Sequence, residues 1–162
     1  MRALILFKSY YGNTRQVAEE MAGKIRSMGH EADVRDVRQR LPDLSGVDVV
    51  LVGAPTRMGR VAGRARRAMR KLKKKGFGTK PVAVFDTCGI IPKSPEDIRK
   101  FMKFFEPGAA GILRKTAQEQ GLSLYPETLR CEVAGMRGPL TQDALVKATS
   151  FASALVYFIG KR

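Results

Sequence analysis

The stretch Ala3-Leu4-Ile5-Leu6-Phe7-Lys8-Ser9-Tyr10-Tyr11-Gly12-Asn13-Thr14 decides how this chain is read. Five apolar residues form a short β-rich run, and the residues from Arg15 to Met28 follow a helical pattern. Between them lies Ser9-Tyr10-Tyr11-Gly12-Asn13-Thr14, small, hydroxyl-rich and containing a glycine. A strand that ends in such a loop at a helix start is a built-in anion site. The first N–H groups of the helix have no helical carbonyl to bond, and the helix dipole adds partial positive charge there. The hydroxyls of Ser9, Tyr11 and Thr14 can donate further bonds. Together these suit a phosphate monoester at the entry of an α/β sheet.

Working outward from this loop, the elements alternate. Val17, Met21, Ile25 and Met28 repeat at helical spacing, and Gly29 ends the helix over Asn13–Met28. Ala32–Val37 predicts a second strand. Val47–Val52 is almost continuously apolar, as in a strand covered on both faces. Ala65, Ala68, Met69 and Leu72 form a helical stripe among basic residues, and Pro81–Phe85 is a fourth strand. Ser94-Pro95-Glu96-Asp97 is a helix start, with a capping serine, a first-turn proline and then acids. That helix is expected to stop near Glu106, before Pro107-Gly108, and a second to run over Ala110–Gln120. Leu122–Tyr125 and Thr128–Val133 supply a fifth strand, with Pro126 between them as a candidate interruption. Thr141–Ile159 closes the chain as a helix. The gap Arg38–Gly46 is too short for a full helix and is expected to hold a turn. The pattern predicts a three-layer α/β sandwich around a five-stranded parallel sheet of order 2-1-3-4-5.

Composition sets the boundaries. A chain of 162 residues with 44% hydrophobic residues can fold around a real core, and is expected to form a single domain over 1–162. The first apolar run is too short for a secretory signal, and no stretch approaches the roughly 20 apolar residues of a membrane span. Cys88 and Cys131 are far apart and have no ligand spacing, so a cytoplasmic protein is expected. A lone histidine, His30, excludes most histidine-based metal sites and His-dependent triads.

In an open parallel sheet, ligands bind at the carboxyl ends of the strands where the order reverses. Three loops fall there: Ser9–Thr14, then Gly53-Ala54-Pro55-Thr56-Arg57-Met58-Gly59, then Asp86-Thr87-Cys88-Gly89. Each brings small residues that allow close backbone approach. No P-loop motif and no G-x-G-x-x-G after the first strand competes with this reading.

On these residues the chain resembles the flavodoxin family over nearly its whole length. The family's phosphate loop reads Ser/Thr-x-Ser/Thr-Gly-x-Thr, and residues 9–14 match except at Tyr11. Tyr11 and Pro55-Thr56-Arg57-Met58-Gly59 look more like the flavodoxin-like NAD(P)H:quinone oxidoreductases. The resemblance implies bound FMN, with its phosphate on Ser9, Tyr10, Tyr11, Gly12, Asn13 and Thr14. Its ring would lie between Pro55, Thr56, Arg57, Met58, Gly59 of the second loop and Asp86, Thr87, Cys88, Gly89 of the third. Flavodoxins often stack an aromatic on the ring. This chain has no Trp, and Ile90-Ile91 follow Gly89.

The resemblance implies an electron carrier shuttling between redox partners, with an FMN-dependent NAD(P)H:quinone oxidoreductase as the alternative. Net charge sharpens the expectation about partners. Lys+Arg outnumber Asp+Glu by 30 to 15, and cations crowd Arg57–Lys75. A docking surface for an acidic redox partner near Arg57–Lys75 is therefore expected. Nucleic acid is disfavoured, because no aromatic residue interleaves the basic run. Monomer and dimer both remain open.

Overall fold

The computed structural model describes residues 1–162. Five strands, β1 (Arg2–Phe7), β2 (Glu31–Asp36), β3 (Val49–Pro55), β4 (Pro81–Cys88) and β5 (Ser123–Glu132), form one sheet of order β2-β1-β3-β4-β5. Every ladder is parallel. Parallel neighbours need crossover connections, and helices α1 (Asn13–Ser27), α2 (Gly63–Lys74), α4 (Gly108–Glu119) and α5 (Ala144–Gly160) flank the strands. Helix α3 (Pro95–Phe101) is short and lies apart from the sheet.

The apolar spacing read from the sequence accounts for the packing. Val17, Met21 and Ile25 of α1 are fully buried and share one core with Ala148, Ala152 and Leu155 of α5. Ala65, Met69 and Leu72 of α2 share the opposite core with Leu113 and Ala117 of α4. The two cores hold 21 and 19 buried residues, so neither face of the sheet is left open and the layers number three. No helix is long and apolar enough to cross a membrane.

Several boundaries differ from the sequence reading. The fourth strand does not end at Phe85: Asp86, Thr87 and Cys88 continue it, because β5 offers Arg130, Cys131 and Glu132 as parallel partners. Likewise Gly53, Ala54 and Pro55 belong to β3, paired with Phe85, Asp86 and Thr87. Pro126 does not break β5. Leu124 pairs with Val82 and Thr128 with Val84, so three residues bulge opposite Ala83 on this edge strand, where a missing N–H is tolerated. The helix expected to reach Glu106 ends at Phe101 and tightens into a 3-10 turn over Met102–Phe104. Thr141-Gln142-Asp143 forms a turn, with the Thr141 hydroxyl on Asp143 at 2.9 Å, and α5 begins only at Ala144.

Gly53 shows how tightly the centre is filled. A Cβ placed there would run into the ring of Phe85, which is fully buried. Gly53→Ala is expected to destabilise the fold by about 1–3 kcal/mol through overpacking. Urea unfolding measures it, and an unchanged midpoint would show that the ring can move aside.

Candidate functional site

The chain leaves β1 through Lys8, whose N–H donates to Gly53 O at 3.0 Å and so ties the loop to β3. The loop then turns on itself. Gly12 N–H donates to Ser9 Oγ at 3.0 Å, and Gly12 holds a φ of 96°, open to glycine at little cost. The first helical bond of α1 runs from Gln16 N–H to Gly12 O at 2.9 Å. The N–H groups of Asn13, Thr14 and Arg15 therefore precede any helical acceptor, and no acid stands in this first turn to satisfy them.

The hydroxyls have divided duties. Ser9 Oγ accepts from the loop and keeps its own proton to donate. Thr14 is buried, and its hydroxyl meets that of Thr87 at 2.7 Å. This bond joins the first and third loops across 73 residues of sequence.

The second loop is a tight hairpin. Arg57 and Arg60 exchange both backbone bonds, at 3.1 and 3.0 Å, around Met58 (φ 53°) and Gly59 (φ 74°). Two positive φ values at the central positions define a type I′ turn. A Cβ on Gly59 would lie 2.8 Å from the carbonyl oxygen of Lys103, so only glycine fits the contact. Met58 accepts the left-handed conformation and stands exposed at the turn tip. Thr56 N–H donates to Thr87 O at 2.8 Å, fixing the hairpin base to the third loop.

Beneath the hairpin lies a buried ion pair. Asp86 is wholly inaccessible, and Arg130 Nε of β5 reaches its Oδ1 at 3.0 Å. Thr56 Oγ1 donates to Asp86 Oδ2 at 2.8 Å and accepts from Ala109 N–H at 2.7 Å. Ala110 N–H donates to the same carboxylate at 3.2 Å. Arg130 also donates to Phe105 O at 3.0 Å and to Glu106 Oε1 at 3.1 Å. Burial works against its charge, yet the hydrogen bonds and charge of Asp86 raise the guanidinium above its ordinary value.

These elements enclose a cleft of about 380 Å³ at the carboxyl end of the sheet, within the usual range for small-molecule sites. All of Ser9–Thr14 except Gly12 line it, as do all of Pro55–Gly59 except Gly59 and all of Asp86–Gly89 except Asp86. The two glycines shape turns, and Asp86 sits below with Arg130. Cys88 lines the cleft but is 2% exposed, and burial, reinforced by the charge of Asp86, pushes its thiol up to about 12. Ile90 and the segment Val133–Met136 complete the wall. That segment is held by Val133 N–H on Cys88 O and Ala134 N–H on Pro139 O, each at 2.8 Å. The sequence reading misses this segment. A signal for it exists: Gly135, Gly138 and Pro139 mark a turn after the fifth strand, at the same edge as the other three loops.

Charge and apolar surface meet at the cleft. The Arg57 guanidinium lies 4.4 Å and Lys8 Nζ 4.7 Å from the centre of the Tyr10 ring, and Arg137 lies 5.5 Å from that of Tyr11. Tyr10, Tyr11, Met58, Ile90 and Met136 are exposed large apolar side chains that line it.

A doubly wound parallel sheet with an anion-ready helix start at its switch point defines a nucleotide-binding α/β protein. A family model described as "Flavodoxin domain" matches residues 4–119, and this chain belongs to the flavodoxin family. Solved structures agree on the fold. A flavodoxin from the domain Archaea superposes with a TM-score of 0.77 at 19% identity, covering 99% of both chains. Flavodoxin 2 of Bacillus cereus gives 0.74 at 23% identity, covering 97% of this chain and 99% of that one. Among curated proteins, protoporphyrinogen IX dehydrogenase (quinone) of Escherichia coli K12 is 30% identical over 97 residues, 59% of this chain and 52% of that protein. NAD(P)H dehydrogenase (quinone) of Gluconacetobacter diazotrophicus is 30% identical over 82 residues, 38% of this chain and 41% of that protein. The chain thus spans about half the length of the curated relatives it matches.

Family membership carries FMN with it as the cofactor. The site fits that group on its own terms. It offers unpartnered N–H groups and a spare hydroxyl proton at Ser9 for a phosphate, and an apolar cleft for a flat ring system. FMN supplies reversible redox chemistry; the residues supply binding, orientation and field.

Two outcomes follow for the buried groups. Arg130→Ala leaves the Asp86 charge uncompensated and is expected to cost about 3–5 kcal/mol in urea unfolding; a loss below about 1 kcal/mol would show that the ion pair is not needed. For the thiols, a raised pKa keeps the neutral form dominant as pH rises. At pH 8 a group titrating at about 12 is thiolate in about one molecule in ten thousand, against about one in four for a free cysteine. Iodoacetamide at pH 8 is expected to leave both Cys88 and Cys131 unmodified in the folded protein and to alkylate both after denaturation.

Proposed function

We propose that this chain is an FMN-dependent electron carrier that passes electrons between protein partners across the open mouth of the cleft. The carrying observation is the cleft's exposed rim. Met58 and Met136 stand on loop tips over the site, so a docked partner can approach the bound ring closely. Residues 1–162 act as one working unit in this reading, in the cytoplasm, where two buried free thiols are at home.

The partner is acidic and docks near Arg57–Lys75. Helix α2 carries no acid, and its basic side chains form no ion pair in the structure. Arg64, Arg67, Arg70, Lys71, Lys73 and Lys74 are exposed and continue from the hairpin that borders the cleft. Opposite fields speed encounter and orient the docked pair. The same cations oppose the charge cost of reduction. One positive charge at about 10 Å in water contributes roughly 0.4 kcal/mol, and several contribute more, with salt screening them.

A second reading is favoured by the printed names of the curated relatives, both of them quinone dehydrogenases. In it, NAD(P)H reduces the cofactor directly and a quinone enters against the apolar rim. One experiment separates the two. Purified holoprotein is mixed with NAD(P)H in a stopped-flow instrument, with and without a partner flavin reductase. The carrier is expected to keep its visible flavin bands with NAD(P)H alone and to bleach rapidly once the reductase is added. Rapid bleaching by NAD(P)H alone, reversed by added quinone, would establish the enzyme instead.

A further inference from the structure

Nine large apolar side chains are exposed on this molecule, seven of them on the cleft rim or on α3. Five line the site. The other two, Ile98 (40% exposed) and Phe101 (45%), stand on α3, outside the cleft lining, so a bound cofactor does not account for them. They are three residues apart and therefore share a helix face. Helix α3 buries none of its own residues, and its one substantial contact is with the 3-10 turn that continues it.

The segment after this helix is fastened to the cleft. Gly108 N–H donates to Gly59 O at 3.2 Å, and the Gly59 backbone abuts the carbonyls of Lys103 and Glu106. The Phe105 ring lies 3.5 Å from where a Cβ on Gly89 would stand. The segment that follows α3 thus touches both the second and the third loop.

Unpaired cations stand on the same segments of the chain. Arg57, Arg60, Lys93, Arg99, Lys103 and Arg137 are exposed, and none forms an ion pair. Of the acids nearby, Glu96 pairs with Lys100 and Glu106 with Arg130, while Asp97 of α3 is exposed and unpaired, so the cations outnumber the free acid. The apolar groups stand on separate tips, at Met58 (69% exposed), Ile90 (51%), Met136 (82%) and α3. A fluid surface receives each one independently, and anionic headgroups meet the cations between them.

We infer that the cleft end of the molecule is a peripheral docking surface for an anionic lipid bilayer, with Ile98 and Phe101 of α3 entering the interface. This goes beyond the carrier reading and does not depend on the identity of the donor or the acceptor.

The test is flotation of the full-length holoprotein with phosphatidylcholine vesicles, with and without phosphatidylglycerol, at about 0.1 M salt. Binding is expected only with the anionic lipid. The double variant Ile98→Glu/Phe101→Glu is expected to lower partitioning about tenfold or more, since two apolar side chains no longer enter the interface. The α2 variant Arg70→Glu/Lys74→Glu is expected to keep most of it. Far-ultraviolet circular dichroism and the flavin spectrum check that each variant remains folded and loaded. The chain has no Trp, so Ile98→Trp adds a single reporter whose emission should shift to the blue on adding anionic vesicles. Three results overturn the inference. One is no binding to anionic vesicles. Another is binding that survives the α3 substitutions but not the α2 pair, which would assign adsorption to α2. The third is indole emission from the Ile98→Trp variant that stays unchanged while vesicles bind the protein.

Discussion

The contact between Asp86 and Arg130 is the constraint on which the working end of this molecule rests. A carboxylate with no access to water must be neutralised and hydrogen-bonded where it stands. Here it is met from several sides: by Arg130 of β5, by the Thr56 hydroxyl at the end of β3, and by the N-terminal turn of α4 through Ala110. Satisfying one buried charge therefore fixes the relative positions of β3, β4, β5 and α4. The second loop inherits its placement through Thr56, and the hairpin at Met58 and Gly59 inherits it in turn. Positioning at the cleft is thus an electrostatic requirement met deep in the sheet.

Above that foundation, the cleft joins two kinds of surface that folded proteins usually keep apart. Donors for an anion sit at the start of α1, and exposed apolar tips stand around the opening. Cation–ring contacts at Tyr10 and Tyr11 bridge the two. The net charge of +15 is biased accordingly, with α2 free of acid. A fold shared with flavodoxins at low sequence identity carries here a strongly basic exterior, and surface charge governs encounter more than it governs fold.

Much of this is legible in the sequence because it is local. The strand, loop and helix start at residues 3–28 read directly, since apolar period, glycine and hydroxyls lie side by side. Strand order follows from the alternation of elements, and the three loops follow from the rule that ligands collect at carboxyl ends. What escapes is long-range. Asp86 reads as one more polar loop residue until Arg130, 44 positions later, is placed beside it. Thr14 reads as a free donor until Thr87 claims its hydroxyl. The fourth strand reads three residues short because its continuation depends on pairing with β5, which no local propensity reports. The Val133–Met136 wall carries a turn signal, but only the assembled sheet edge gives it a neighbour.

The position of Arg130 has a temporal consequence. Arg130 and the wall at 133–136 both follow the first four strands in the chain. A ribosome that has released the first four strands has made the anion loop, the hairpin and Asp86, but not the groups that fix or close them. During synthesis the cleft is therefore complete only once β5 and the turn behind it have left the exit tunnel. A nascent chain paused before that point carries Asp86 without its Arg130 partner and a cleft without its wall at 133–136.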